Sequence, residues 1–273
     1  MAEKLKPRWA RWQKWFWLLL GLYCWLWAGR SIRNTWFTRS SDPTWDQIQR
    51  SGVMRVGMDA TYPPFGVQDA TGRFSGYDVD LVEELARRWG LRTEFVNISF
   101  DGLYDALLAG KCDLLVSALP YDETLTEDVL YAPSYFNAGL LLAVPDDDKR
   151  TQSVNGLGNK KVGVALGTSA HLEARRMVEE ARIPLEIVTF SGAREALLAL
   201  REGQVEAAIA DSVTVYAFAH EPGGIRYLKR FLSDEQYVMA MRPGSGYLWT
   251  RIANELARMK KDGFLQALQE RWF

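Results

Sequence analysis

Cysteine and histidine are scarce in this chain: Cys24, Cys112, His171 and His220 are the only ones in 273 residues. Two isolated cysteines exclude a disulfide framework, and no His/Cys/carboxylate cluster has metal-ligand spacing. Surplus charge is missing too, because a formal net charge of -1 provides no basic field for nucleic acid. Phosphate and nucleophile signatures are incomplete. Gly163-Val-Ala-Leu-Gly167 lacks the Gly-Lys-Ser/Thr ending of a phosphate loop, Gly156-Leu-Gly158 continues as Asn-Lys-Lys, and Gly244-Ser245-Gly246 has no histidine near it in sequence. No second apolar segment resembles that at residues 15–28, so a multi-span membrane protein is excluded.

That segment reads WFWLLLGLYCWLWA, with five Lys/Arg before it and Arg30, Arg33 and Arg39 after it. Fourteen residues fall short of the roughly 20 that span a bilayer, but Lys14 and Arg30 can snorkel outward, with Trp9, Trp12 and Trp36 at headgroup depth. Leu26 lies three positions before the only candidate cleavage point, after Ala28, where a small residue belongs. The reading is an uncleaved single-pass signal anchor with the N-terminus cytoplasmic and the body extracytoplasmic. Cleavage to a secreted or periplasmic form is the alternative. Residues 1–41 carry a charge of +7 and the remainder -8, so the total conceals a basic head on an acidic body.

Beyond a polar tether broken at Asp42-Pro43, a short helix is read at 45–50, and periodicity predicts folding proper from Val53 onward. Strand-like runs at 54–58, 92–97 and 113–117 alternate with helical ones at 77–89 and 100–109. The pattern repeats with strands at 161–165, 185–190 and 206–210 and helices at 169–182 and 193–202. Two βαβαβ units predict an α/β protein of two lobes, each a mainly parallel sheet covered by helices. Apolar runs at 139–144 and 236–241 are read as crossing strands, which divides the body into lobe one (53–143 plus 242–273) and lobe two (144–241). Leu248, Ile252, Leu256, Met259, Phe264 and Leu268 step at helical spacing in the tail, with Gly263 between two helices.

Ligands of open α/β sheets sit beyond the carboxyl ends of the strands. There the sequence offers the aromatics Tyr62, Phe65 and Phe100, then Ser117, Ala118 and Pro120, and in lobe two Thr168, Ser169 and Asp211. Thr168 and Ser169 open a helix whose first-turn N–H groups suit a carboxylate, while Asp211 suits an ammonium group. An N-cap role is the alternative reading for each of these three, and core filling is for Phe65.

The ordered segments VGMDATYPPF, GYDVDLVEELARRWG, FDGLYDALLAGKCDLLVSAL, YAPSYFNAGLLLAV, KKVGVALGTSA and EALLALREGQVEAAIADS resemble the polar amino acid class of solute-binding proteins of ABC importers. The resemblance implies a type 2 periplasmic-binding fold without cofactor or catalytic group, acting as a monomer that delivers a small polar solute to an ABC permease. It implies that Tyr62 and Phe100 sandwich the ligand, that Ser117, Ala118 and Pro120 hold the amino acid head, that Thr168 and Ser169 receive a carboxylate and that Asp211 holds an ammonium. Two positions depart from that family: Leu125 stands where its carboxylate-gripping arginine belongs, and Pro120 where a hydroxyl does. These departures turn the expected ligand toward an amine-bearing solute, with an amino acid as the alternative. A sensor domain for a separate partner and a dehydratase-like enzyme are the other readings of the same fold.

Overall fold

The computed structural model describes residues 42–273, so the expected signal anchor at 15–28 lies outside the described residues. Among the described residues no helix is long and apolar enough to cross a membrane. Folding starts earlier than periodicity predicts. Helix α1 (Pro43–Ser51) begins at a proline, whose fixed φ and missing N–H suit a first helical turn. The short helix expected at 45–50 is therefore present, and its Trp45 and Ile48, buried in the main core, make it part of the folded body. The Arg251 guanidinium carbon lies 4.4 Å from the Trp45 ring and 4.9 Å from the Trp89 ring, pinning α1 down through cation–π contact.

In the first lobe β1 (Val53–Met58) runs parallel to β5 (Arg92–Asn97) on one side and β6 (Leu114–Pro120) on the other. Met54, Val56 and Met58 alternate inward along β1, while Arg55 turns out to an ion pair of 2.6 Å with Asp113. β14 (Gln236–Met241) lies antiparallel on the far side of β6, and the short β7 (Leu130–Tyr131) and β8 (Phe136–Asn137) pair with it. Helices α2 (Tyr77–Trp89), α3 (Leu103–Leu108), α7 (Gly246–Lys261) and α8 (Phe264–Trp272) belong to this lobe. The expected tail positions Leu248, Ile252, Leu256, Met259 and Leu268 are buried, and Gly263 separates the last two helices at φ 84°.

The second lobe repeats the plan. β10 (Lys161–Ala165) lies between the parallel strands β11 (Glu186–Phe190) and β12 (Ala207–Asp211). β9 (Leu140–Pro145) runs antiparallel to β12 and is followed at the edge by β13 (Ile225–Tyr227). Helices α4 (Ser169–Glu179), α5 (Ala193–Arg201) and α6 (Ser212–Ala219) complete it. A small sheet of β2 (Thr61–Tyr62), β3 (Gly66–Gln68) and β4 (Phe74–Ser75) escaped periodicity because its strands are too short to show one.

The lobe boundaries need correction. Residues 140–143, expected in lobe one, pair with β12 in the second sheet, and residues 236–241, expected in lobe two, pair with β6 in the first. The chain therefore crosses at 137–139 and returns at 233–235. The crossings are tied together: the Ala138 N–H donates to the Glu235 carbonyl at 2.7 Å, and the Leu140 N–H to the Ser233 hydroxyl at 3.1 Å. They run so close that a Cβ on Gly139 would stand 1.9 Å from the Ser233 carbonyl oxygen.

Candidate functional site

Each lobe's parallel strands end toward a set of short loops, and side-chain hydrogen bonds knit those of the first lobe together. Asp59, just beyond β1, is the organiser. Its Oδ1 accepts from the Thr61 N–H and hydroxyl at 3.1 and 2.6 Å, its Oδ2 from the Phe100 N–H at 2.8 Å, and its own N–H donates to Ser117 Oγ at 3.0 Å. One residue, through its carboxylate and its own N–H, thereby joins the ends of three strands. Sequence reasoning missed it, although Asp-x-Thr after a strand is a turn signal in which the side chain bonds the backbone two residues on.

On this frame Tyr62 is 47% exposed and Phe100 45%, as large apolar rings at strand ends must be if they face a ligand. Phe65 does not join them. It is only 1% exposed and packs edge-on against Tyr77, Phe136 and Tyr237, so it is core that supports Tyr62, which stacks on it at 5.6 Å. Ser117 is buried, its hydroxyl oxygen committed to Asp59. Ala118 adopts φ 43° and turns its N–H inward, donating to Asp78 Oδ2 at 2.6 Å, so that amide is unavailable to hold a ligand head group. Pro120 is exposed at the end of β6 and has no N–H to offer. Leu125 packs with Leu103, Leu107, Leu119 and Val129 in a side core of the first lobe.

Asp78 is fully buried, and that burial pushes its carboxyl up to about 7, only partly offset by the Ala118 amide and the Tyr135 hydroxyl. Its Oδ1 and the Tyr135 hydroxyl have no hydrogen-bond partner of good geometry.

In the second lobe Thr168 and Ser169 are exposed where β10 gives way to α4. The Thr168 hydroxyl donates back to the Ala165 carbonyl at 2.8 Å and makes no cap bond, which leaves the first amides of α4 without a side-chain acceptor from their N-cap residue. His171 Nδ1 accepts the Gly167 N–H at 3.2 Å. Asp211 ends β12 and caps α6, its Oδ1 accepting from the Thr214 N–H at 2.8 Å. The cap leaves Oδ2 meeting only the Thr214 hydroxyl, at 2.8 Å.

The returning crossover adds two groups that sequence patterns did not single out. The Tyr237 hydroxyl is held far above its ordinary range by burial and by the neighbouring Tyr62, Glu235 and Asp211. The Glu235 carboxyl is also raised, first by partial desolvation and then by Asp211. Nothing in the polar run 233–235 distinguishes Glu235 until the crossing strands are paired. Among the described residues no group of three or more His, Cys, Asp or Glu side chains could hold a metal ion.

The family model of bacterial extracellular solute-binding proteins, family 3, matches residues 54–273. The L-cystine-binding protein TcyJ of Escherichia coli K12 is 24% identical over 248 residues, 90% of each chain. A solved ancestral cationic amino acid solute-binding protein is 31% identical with a TM-score of 0.62, over 84% of this chain and 99% of that one. An ancestral cyclohexadienyl dehydratase, 24% identical with a TM-score of 0.71 over 83% and 95% of the two chains, shares the fold. Two lobes joined by paired crossings and a family match across nearly the whole folded body lead to one conclusion: the chain belongs to the bacterial extracellular solute-binding proteins, family 3.

Proposed function

We propose that this protein is a monomeric extracytoplasmic receptor that captures a small amine-bearing solute between its lobes and delivers it, chemically unchanged, to an ABC permease. Residues 15–28 hold it to the membrane, and the lobes close about the crossings at 137–139 and 233–235. The observation that carries the ligand class is Asp211, a carboxylate at a strand end of one lobe, with Tyr62 and Phe100 exposed at strand ends of the other. Aromatic faces and a carboxylate together suit a cation.

The test separates charge from capping. Asn caps a helix as well as Asp does, so Asp211→Asn keeps α6 and removes only the charge. Calorimetry of the full-length protein in detergent, with lysine and cadaverine as probes, should show the variant binding about 30-fold or more weaker, as expected for loss of about 2 kcal/mol from a desolvated charge pair. Equal binding by variant and parent would rule out Asp211 as the amine site. A second reading, an intact amino acid, is favoured by the names of the relatives, which bind cystine and cationic amino acids. Its carboxylate would have to rest on the first turn of α4.

A further inference from the structure

The crossing strands carry a charge that the family resemblance did not point to. Glu235 stands one residue before β14, and its carbonyl accepts the Ala138 N–H, which continues the ladder of β14 with β8 through it and puts it two residues from Tyr237 on the same face. Tyr237 lies beside Tyr62 on that face, whereas the intervening Gln236 lines a separate cavity of about 670 Å³ with Phe231, Tyr216 and Gln269. The backbone ladder brings in Asp211 from the other lobe. Glu235 sits opposite Ala138, the Ser212 N–H donates to the Gly139 carbonyl at 3.0 Å, and Asp211 is in register with Leu140. Glu235 is exposed, and its backbone N–H, accepted by Asn137 Oδ1 at 3.1 Å, fixes where the side chain leaves the crossing.

Acidic residues predominate around them: Asp59, Asp101, Asp122, Asp211, Asp234 and Glu235 stand on the strand-end loops and crossings, Lys229 and Arg230 just before the returning crossing line other cavities, and Arg194 lies in the first turn of α5. Arg194 is committed to Glu221 at 2.6 Å, with its guanidinium 5.4 Å from the Phe218 ring. A free carboxylate entering this cleft meets repulsion, and a single positive charge leaves one of the two facing carboxylates uncompensated.

We infer that Glu235 is a second anionic contact of the cleft, paired with Asp211 across the crossings, and that the ligand class is a small dication without a free carboxylate, of the diamine or aminoguanidine kind. The inference rests on the cleft assignment made above and names its ligand more narrowly. Agmatine and arginine are the probes, since they differ only by the carboxylate.

Calorimetry of the full-length parent should show agmatine binding at least tenfold tighter than arginine. Glu235→Gln should weaken agmatine at least tenfold and shrink the preference over arginine, with an unchanged melting temperature because the side chain is exposed. If Glu235→Gln binds agmatine like the parent while Asp211→Asn does not, Glu235 is no contact and the amine site stands alone. If the parent prefers arginine, the dication is wrong although the amine reading survives. If the parent binds neither probe, and neither lysine nor cadaverine, the amine reading fails and this inference with it.

Discussion

Asp78 offers the sharpest test of how the first lobe supports its ligand loops. Its carboxyl lies under the third strand end and holds the Ala118 amide, with no cation beside it to compensate a negative charge. An unfolded chain releases this proton near 3.8, whereas the folded chain keeps it up to about 7. Between those values the folded state binds more protons, so the contribution of Asp78 is fully present below about pH 4 and is lost as pH rises toward 7. Asn at this position is nearly isosteric and cannot ionise. Its carbonyl can still accept the Ala118 N–H, and its amide can donate toward the unpartnered Tyr135 hydroxyl.

The difference in unfolding free energy between Asp78→Asn and the parent cancels every other titration. At pH 5 the parent has lost only the part accumulated above 3.8, and by pH 8 it has lost all of it, so the difference should grow in the variant's favour by about 3 kcal/mol. Urea unfolding of both proteins at pH 5, 6, 7 and 8, followed by circular dichroism, measures it. A difference that stays flat within about 1 kcal/mol would show that Asp78 is ionised in the folded protein at pH 5 or that water reaches it, and the reasoning from burial would fail.

Two further outcomes test the packing. Gly139→Ala drives a Cβ into the Ser233 carbonyl where the crossings touch, and it should cost about 1–3 kcal/mol, a fall of roughly 5 °C in melting temperature by calorimetric scan; an unchanged melt would mean that the crossings are not tightly paired. Cys112 is fully buried, and desolvation pushes its thiol up to about 11, so peptide mapping after iodoacetamide at pH 8 should find it unmodified in the native protein and alkylated in urea. Equal alkylation in both states would contradict that burial.

The parts of the fold that repeat over a helical turn or a strand alternation were legible. The run 77–89 carries its own stop in Gly90, which takes the left-handed conformation at φ 69°, and the helix appears with those bounds. Partner choice between lobes was not legible. An apolar run such as 139–144 fits either sheet equally well, and what assigns it is its register with β12, a pairing made across more than sixty residues of chain. The site shows the same division. That Tyr62, Phe100 and Asp211 stand at strand ends was legible, because strand ends can be read from the alternating pattern. The turn of Ala118 was not, because its positive φ and its bond to Asp78 are set by the packing of α2 against the sheet, which an alanine cannot announce.

The balance between an amino acid and a dication turns on two ends of the cleft. An amino acid needs a positive host for its carboxylate, and the first turn of α4 is the one on offer, with the Thr168 hydroxyl turned back to Ala165 and only backbone amides left to donate. Such a helix start contributes about 0.3–2 kcal/mol to an anion. A bidentate arginine would contribute more, but Leu125 has joined the side core of the first lobe and can neither donate nor carry charge. The opposite end is built the other way. On the proposed reading Asp211 offers the oxygen that meets only the Thr214 hydroxyl, Glu235 stands near enough to be raised by Asp211, and the Tyr237 hydroxyl neighbours both beside Tyr62. A cation there meets a half-buried carboxylate in Asp211 and an exposed one in Glu235, against backbone amides alone at the helix start. On that reading the cleft selects by cation first, and a carboxylate on the ligand is tolerated only as far as α4 can offset the neighbouring aspartates.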